Sequence, residues 1–429
     1  MVKKIIICAF SVHPDQKSSE AIVNGNWLNI LSRNGLNIEV LSAFNNYFDL
    51  GGNNEVISKL NLSLFLFNSS KQEKSVSRIF YSISNKIFMK LFTSQLTLQN
   101  YLWVNYQGRI LESRVKDKNV VWARILPVLS LMPVLKAYSN KKFPFIVNVN
   151  DPIALGKFDN HNMTYDQEIF ILTRDKAQAW TFPSSKLADQ FADDYNLDRS
   201  RCFVIPHSMK KVSALYKRDI KKKQLNFLYA GTFYKSAFTN EFKESLSKFA
   251  GLEISKLVQF TFVLSQYDND SLAWLKSTIP NVEIKLKLER PVVLDLIKTS
   301  DCMFVIDSLL HTNLLKGKLI EAISFGIPVF AATYENSVMD KVVKEYGGLS
   351  AYQDSEGDIL YKMKSLIISI QSDKWLQNFY SQRNIVLDKI SESTIVKSTE
   401  AVNEFAYCRF NKVKDYSNSF SVLRELNWP

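Results

Sequence analysis

Along most of the chain, short runs of β-branched and other apolar residues alternate with stretches of helical periodicity. A strand covered on one face alternates apolar and polar residues. Continuous apolar runs mark strands covered on both faces, which belong to parallel sheets layered between helices. The runs predict strands at 5–12, 36–42, 120–126, 145–149, 179–182 and 202–205, with helices at 20–33, 129–138, 166–178 and 186–195 between them. In the first helix Ile22, Val23, Trp27, Ile30 and Leu31 are the apolar positions, and Asn34-Gly35 supplies a C-terminal stop. A second series begins at 225–230 and continues with strands at 260–264, 282–286, 302–306 and 328–331. Helices at 241–249, 271–276, 292–299, 318–325 and 338–346 separate them, and 373–413 reads as two long helices.

The expected fold class is therefore α/β, with two doubly wound, Rossmann-like domains facing across a cleft. The expected boundaries are an N-terminal domain at 1–208 carrying a basic helical insertion at about 71–118, then a lysine-rich linker at 209–224. A second domain follows at 225–385, and terminal helices at 386–429 return towards the first. A length of 429 residues accommodates two such domains. With 46% hydrophobic and 13% aromatic residues the chain can fill two cores, which excludes disordered and fibrous classes.

The formal net charge is +12, but its placement matters more than its size. Residues 71–142 hold thirteen basic and three acidic side chains, a net of +10. Within this segment, apolar residues at 79, 80, 83, 87, 88 and 91 form a helical stripe, with Arg78, Lys86 and Lys90 outside its centre. A basic amphipathic helix of this kind suits an anionic membrane surface, and the same pattern also suits a helix packed on a core. No nucleic-acid-binding motif accompanies the charge, so a nucleic-acid partner is not expected.

No apolar run reaches the ~18–20 residues of a membrane span. Segment 125–135 comes nearest and is broken by Pro127 and Pro133. Lys3-Lys4 and the apolar run behind them have no small-residue cleavage site and end at His13-Pro14-Asp15, which fits a first buried strand better than a signal peptide. Cys8, Cys202, Cys302 and Cys408 are far apart and show no metal-ligand spacing, so they read as reduced residues of a cytoplasmic protein.

In doubly wound sheets, ligands bind beyond the carboxyl ends of the strands, near helix N-termini. After strand 225–230 come Gly231, Thr232 and Lys235: a small residue, a hydroxyl and a cation that suit a pyrophosphate. Ser308 and Asn313 follow strand 302–306. Lys318 opens the next helix, where a cation opposes the macrodipole unless an anion is bound. Glu321, one turn on, can accept two hydrogen bonds from a ribose diol, and the spacing also fits a plain i,i+3 ion pair. In the first half, Ser18, Ser19 and Glu20 stand at a helix start, Arg124 ends a strand, and Asp151 precedes Pro152, which favours an extended, exposed carboxylate.

Lys318-Leu319-Ile320-Glu321-Ala322, followed by Gly326-Ile327-Pro328-Val329, resembles the donor-site signature of GT-B fold glycosyltransferases, particularly family 4-like enzymes. The segments 182–189, 204–208 and 227–234 are similar to that family's motifs in the same order. Ala123-Arg124 to Pro127, with Asn148 to Pro152, resembles the subset that builds bacterial surface polysaccharides, either capsule or O-antigen-type. The resemblance spans roughly residues 1–350. It implies a nucleotide-sugar donor held by Gly231, Thr232, Lys235, Ser308, Asn313, Lys318 and Glu321, and an acceptor side with Ser18, Ser19, Glu20 and Arg124. It further implies a lipid-linked saccharide acceptor, a peripheral site on the inner face of the cell membrane, and polysaccharide-assembly proteins as partners. Catalysis would fall to Asp151, Lys235 and Lys318. The nucleotide sugar is a substrate rather than a cofactor. Lysines and helix N-termini would stabilise the departing diphosphate, so no metal is expected. Asn313 stands where many members have a second glutamate, and the usual arginine of the first loop in the second domain is absent. A nucleotide-sugar 2-epimerase and a catalytically inactive subunit of a transferase complex are the alternative readings.

Overall fold

The computed structural model describes residues 2–12, 19–42, 55–57, 86–87, 90, 98–125, 128–151, 163–209, 215–219, 222–232, 239–279, 282–355, 357–413, 421, 423 and 427–429; the side chains of 19, 55–57, 98–99 and 163–166 are excepted. The chain divides into two compact units. The first comprises Met1–Ile205 and Val396–Asn427, the second Pro206–Ile395 with Trp428–Pro429.

The first unit is built on a sheet of β1 (Lys4–Ala9), β2 (Ile38–Ser42), β3 (Glu55–Ile57), β4 (Asn119–Ile125), β5 (Phe145–Val149), β6 (Ala179–Phe182) and β7 (Cys202–Val204). Their order is β3-β2-β1-β4-β5-β6-β7 and every pairing is parallel. All seven residues of β4 are buried, as a strand covered on both faces requires. Trp27, from the helix Ser19–Arg33, packs against Trp122 of β4 with ring centroids 5.0 Å apart. The Trp122 indole donates to Asn403 Oδ1 at 2.7 Å, and Phe203 meets Phe405 edge-on, so the terminal helix Glu392–Phe410 contributes to this core.

The second unit repeats the plan with β8 (Leu225–Gly231), β9 (Val258–Leu264), β10 (Glu283–Leu286), β11 (Cys302–Ile306), β12 (Val329–Thr333) and β13 (Leu349–Tyr352). The order is β10-β9-β8-β11-β12-β13, again parallel throughout. Side chains alternate between two cores as the strand period dictates. Phe227, Tyr229, Phe260, Phe262, Phe304 and Phe330 fill one, while Leu228, Ala230, Met303 and Val305 fill the other with Leu319 and Ile323 of the helix Gly317–Phe325.

Each sheet reverses its strand order once, between β1 and β4 and between β8 and β11. Those reversals open crevices at the carboxyl ends of the strands. The strand β13, the helix Asp358–Ile370 and the three-residue β3 are additions to the sequence expectation, while the helix Leu98–Arg114 falls within the span of the expected basic helical insertion. β13 is four residues long and starts just after Gly347-Gly348, too short for a periodic signal.

Residues 215–219 and 222, within the stretch expected to link the domains, are held to the second unit. Tyr216 N donates to Phe325 O, and Arg383 donates to the carbonyls of Tyr216 and Gly326, each at 2.8 Å. Cys8, Cys302 and Cys408 are buried, Cys202 is half-buried, and all four are free thiols. Burial alone raises the Cys8 thiol to about 12, an inert state rather than a reactive one.

Candidate functional site

The second unit gathers polar and charged side chains beyond the ends of β8, β10 and β11. β8 closes with Gly231 and Thr232, whose hydroxyl shares a hydrogen bond of 3.0 Å with Ser265 after β9. Tyr229 donates its hydroxyl to the Thr232 carbonyl at 2.7 Å and fixes the turn. A Cβ built on Gly231 would meet only the Tyr229 side chain, no nearer than 3.5 Å, so internal packing does not demand glycine there. Lys235 lies outside the described residues.

Beyond β11, Asp307 is fully buried. Its carboxylate pairs with Lys316 Nζ at 3.1 Å and accepts from Thr333 Oγ1 at 3.2 Å and from Ser308 N at 2.9 Å. The Ser308 hydroxyl is buried and has no hydrogen-bond partner among the described residues. Asn313 follows in the turn between Leu309–His311 and the helix Gly317–Phe325. That helix begins without a side-chain cap, its N-cap position being Lys316. Its first amide groups therefore lack the usual side-chain acceptor and carry the positive end of the macrodipole.

Glu321, 5% exposed, is clamped from two directions. Lys318 Nζ reaches one carboxylate oxygen at 2.9 Å, and Arg290 Nη1, from the start of the helix Arg290–Thr299, reaches the other at 2.7 Å. The i,i+3 ion pair anticipated from the spacing is present, and it is buried on the acidic side rather than lying free on the surface. Burial lowers the affinity of Lys318 for its proton, while Glu321 opposes that effect and Arg290 adds to it. Arg290, Lys316 and Lys318 face Asp307 and Glu321, which leaves one excess positive charge beside an uncapped helix start. Such an arrangement attracts an anion. A carboxylate with two paired oxygens still has lone pairs left to accept from a diol.

The first unit places a second polar cluster at the ends of β1, β4 and β5. Arg124 is buried. Its Nε donates to Asn24 Oδ1 at 2.5 Å and its Nη2 to Asn150 Oδ1 at 3.2 Å, and the guanidinium lies 4.3 Å from the Trp27 ring centroid. Burial pushes the guanidinium below its usual range, and nearby Glu20 pulls it back. Asn24 donates to Ser11 O at 2.7 Å and to Glu20 Oε1 at 3.3 Å. Glu20 is raised to about 8, chiefly by burial and further by Asp151, against the pull of a Ser11 backbone hydrogen bond, Arg124 and Asn24. Asp151 is half-buried, directly beyond β5. Ser19 opens the helix by its backbone, and Ser18 lies outside the described residues.

The Glu20 shift has a measurable sign. A carboxyl that holds its proton in the folded state up to about 8, and loses it near the ordinary ~4.3 when unfolded, binds more protons folded than unfolded between these values. Stability of the first unit is expected to fall as pH rises from about 5 to 8. Glu20→Gln should flatten that slope in thermal melts across this range; an unchanged slope would contradict the assignment.

The donor-side residues Gly231, Thr232, Ser308, Asn313, Lys318 and Glu321 all fall in the second unit at the ends of β8 and β11 or at the following helix start. Glu20, Arg124 and Asp151 fall together in the first unit. Arg290, Asp307 and Lys316 were missed in sequence, as were Asn24 and Asn150. For Arg290 a signal existed: a basic residue just before Pro291, at a helix start soon after a strand.

No family model matches this chain, and no curated protein matches it. Solved structures do match. A glycosyltransferase from Rickettsia africae ESF-5 superposes with a TM-score of 0.57 at 12% identity, covering 96% of this chain and 100% of that one. A putative UDP-N-acetylglucosamine 2-epimerase from Listeria monocytogenes gives 0.56 at 8% identity, covering 96% and 98%. TarM gives 0.52 at 13% identity over 70% of this chain and 58% of that one, so the chain spans under two thirds of TarM's length. A Staphylococcus aureus TarM mutant was solved with UDP bound. Among the described residues, no helix is long and apolar enough to cross a membrane. Two doubly wound parallel units with these strand orders, superposing along nearly the whole chain on such structures, give this chain the GT-B fold.

Proposed function

We propose that the chain is a glycosyltransferase that moves a sugar from a nucleoside diphosphate donor to a lipid-linked saccharide in bacterial surface-polysaccharide synthesis. The observation that carries this reading is the Arg290–Glu321–Lys318 cluster at an uncapped helix start on the switch point of the second sheet. An excess cation and free helix amides suit a diphosphate, and the buried Glu321 suits the ribose hydroxyls. Lys318 and the helix amides then stabilise the charge that develops on the leaving diphosphate. Lys235 would add a further cation, and no metal would be needed. Ser308 and Asn313 would serve the donor sugar, the Ser308 hydroxyl having no partner among the described residues. Glu20, Arg124 and Asp151 would form the acceptor side, Asp151 orienting the reacting hydroxyl. The UDP bound to TarM supports a uridine nucleotide as the first donor to try.

The membrane part rests on the basic segment, most of which lies outside the described residues. Lys86, Ile87 and Lys90 are described, helical and exposed, as an interfacial helix would present them. An anionic inner membrane face and polysaccharide-assembly proteins are the partners this reading calls for.

The test is a thermal-shift panel of UDP-, GDP-, dTDP- and CMP-sugars. A donor at 100 times its Kd should stabilise the fold by about 2.7 kcal/mol. A silent panel would sink the reading. The epimerase reading is favoured by the Listeria superposition alone. It predicts conversion of a UDP-sugar to its 2-epimer with no acceptor present.

A further inference from the structure

At the amino edge of the second sheet, opposite the crevice described above, the unit is incompletely filled. A cavity of about 180 Å³ opens between the C-terminal end of the helix Asn240–Ala250, the turn Glu253–Leu257 and the start of β9. Its depth is apolar, lined by Leu246 and Phe249 of the helix, Phe260 of β9 and Ile279, all buried. Phe249 and Phe260 meet edge-on with ring centroids 5.9 Å apart. Protein interiors are packed closely enough that voids larger than one water are few. An apolar cavity of about 150 Å³ is large enough to bind benzene. The space beside Phe249 and Phe260 therefore suits one further aromatic ring.

The mouth is built differently. Gly251, Glu253 and Lys256 line it and are exposed. Gly251 caps the helix at φ −77°, ordinary right-handed backbone, and a Cβ built there would touch only the Lys248 carbonyl oxygen, at 3.6 Å. Neither backbone nor packing calls for glycine, and its missing side chain leaves an entrance. The polar atoms at that entrance are acceptors. Lys248 O belongs to the last turn of the helix, where carbonyls lack helical donors and carry the negative end of the macrodipole. The Ser255 hydroxyl is turned to the carbonyls of Ala250 and Leu252, at 3.1 and 2.7 Å. Lys256 Nζ is spent on both oxygens of Glu253, each at 2.8 Å. A ligand must therefore bring the hydrogen-bond donor itself.

We propose that this cavity binds one aromatic ring carrying an N–H or O–H donor, of the indole or phenol class. The ring fills the apolar depth, and its donor meets the Lys248 carbonyl at the mouth. A ring bearing a carboxylate is disfavoured, because it brings negative charge to a helix C-terminus and to Glu253. Phe260 stands five residues before Ser265, about 16 Å along β9. The site is thus separate from the donor crevice and does not rest on the transferase reading.

The test is saturation-transfer NMR on the intact chain with indole, phenol, toluene and benzoate, and with the peptide Gly-Trp-Gly as the same ring on a polypeptide. Indole or phenol is expected to bind, toluene about fivefold more weakly for want of a donor, and benzoate not at all. Gly251→Leu, or Gly251→Val should that chain not fold, closes the entrance and abolishes the signal. Gly251→Ala, whose methyl group fits beside Lys248 O, keeps it. Peptide binding as tight as that of indole points to a side chain of a partner protein, and indole or phenol alone to a small molecule. No ring binding, toluene equal to phenol, preference for benzoate, or a signal that survives closure of the entrance overturns the inference. The nucleotide-sugar panel reads the donor site separately, so either reading can fail without the other.

Discussion

Lys318→Ala is expected to lower donor turnover by about a hundredfold, the scale of removing one preorganised group that stabilises developing charge. Lys318 contributes twice. Its ammonium is one of the cations at the helix start, and through the 2.9 Å contact it fixes one oxygen of Glu321. Without it, Glu321 keeps Arg290 on its other oxygen, so the carboxylate stays paired and the helix Gly317–Phe325 stays packed. The loss should therefore appear in turnover with little change in melting temperature. Glu321→Gln is expected to act differently, weakening nucleotide binding through the ribose contact while both cations remain. Wild-type turnover in both variants would sink the site assignment.

Asp301→Ala is expected to cost the second unit about 3–5 kcal/mol, the usual penalty for leaving one partner of a buried pair unmatched. Asp301 precedes β11. Its carboxylate accepts from Arg218 at 3.1 Å, from Lys222 at 2.5 Å, from the Tyr216 hydroxyl at 3.2 Å and from Asn226 N at 2.8 Å. The Arg218 side chain is 3% exposed, so removing the carboxylate strands a cation inside the protein. The same carboxylate ties Tyr216, Arg218 and Lys222, three described residues of the expected linker, to the starts of β8 and β11. Urea unfolding of the intact chain should show the lost stability as a lower midpoint of one transition. A shift worth less than about 1 kcal/mol would mean that Arg218 finds another partner or reaches water.

How legible these features are in sequence depends on how local they are. Parallel strands buried on both faces announce themselves as unbroken apolar runs, which is why β4, β5, β9 and β11 fall within a residue or two of their expected limits. Lys318 and Glu321 are readable because both lie on one helical turn. Arg290 is not: it comes from another helix, and only tertiary packing brings it to Glu321. Asp307 and Lys316 pair across a loop of irregular backbone that has no period to read. Asn24 and Asn150 are hard to read for a different reason. An asparagine in sequence suggests a turn or a cap, whereas these two are buried partners of Arg124.

The most direct test of the central claim is nucleoside diphosphate release from UDP-glucose and UDP-N-acetylglucosamine by the intact chain, with and without a bacterial membrane lipid extract as acceptor. Release that requires the extract, leaves the sugar on the lipid fraction and falls about a hundredfold in Lys318→Ala is the predicted result. Conversion of a UDP-sugar to its 2-epimer without the extract, or equal release by wild type and Lys318→Ala, would contradict it.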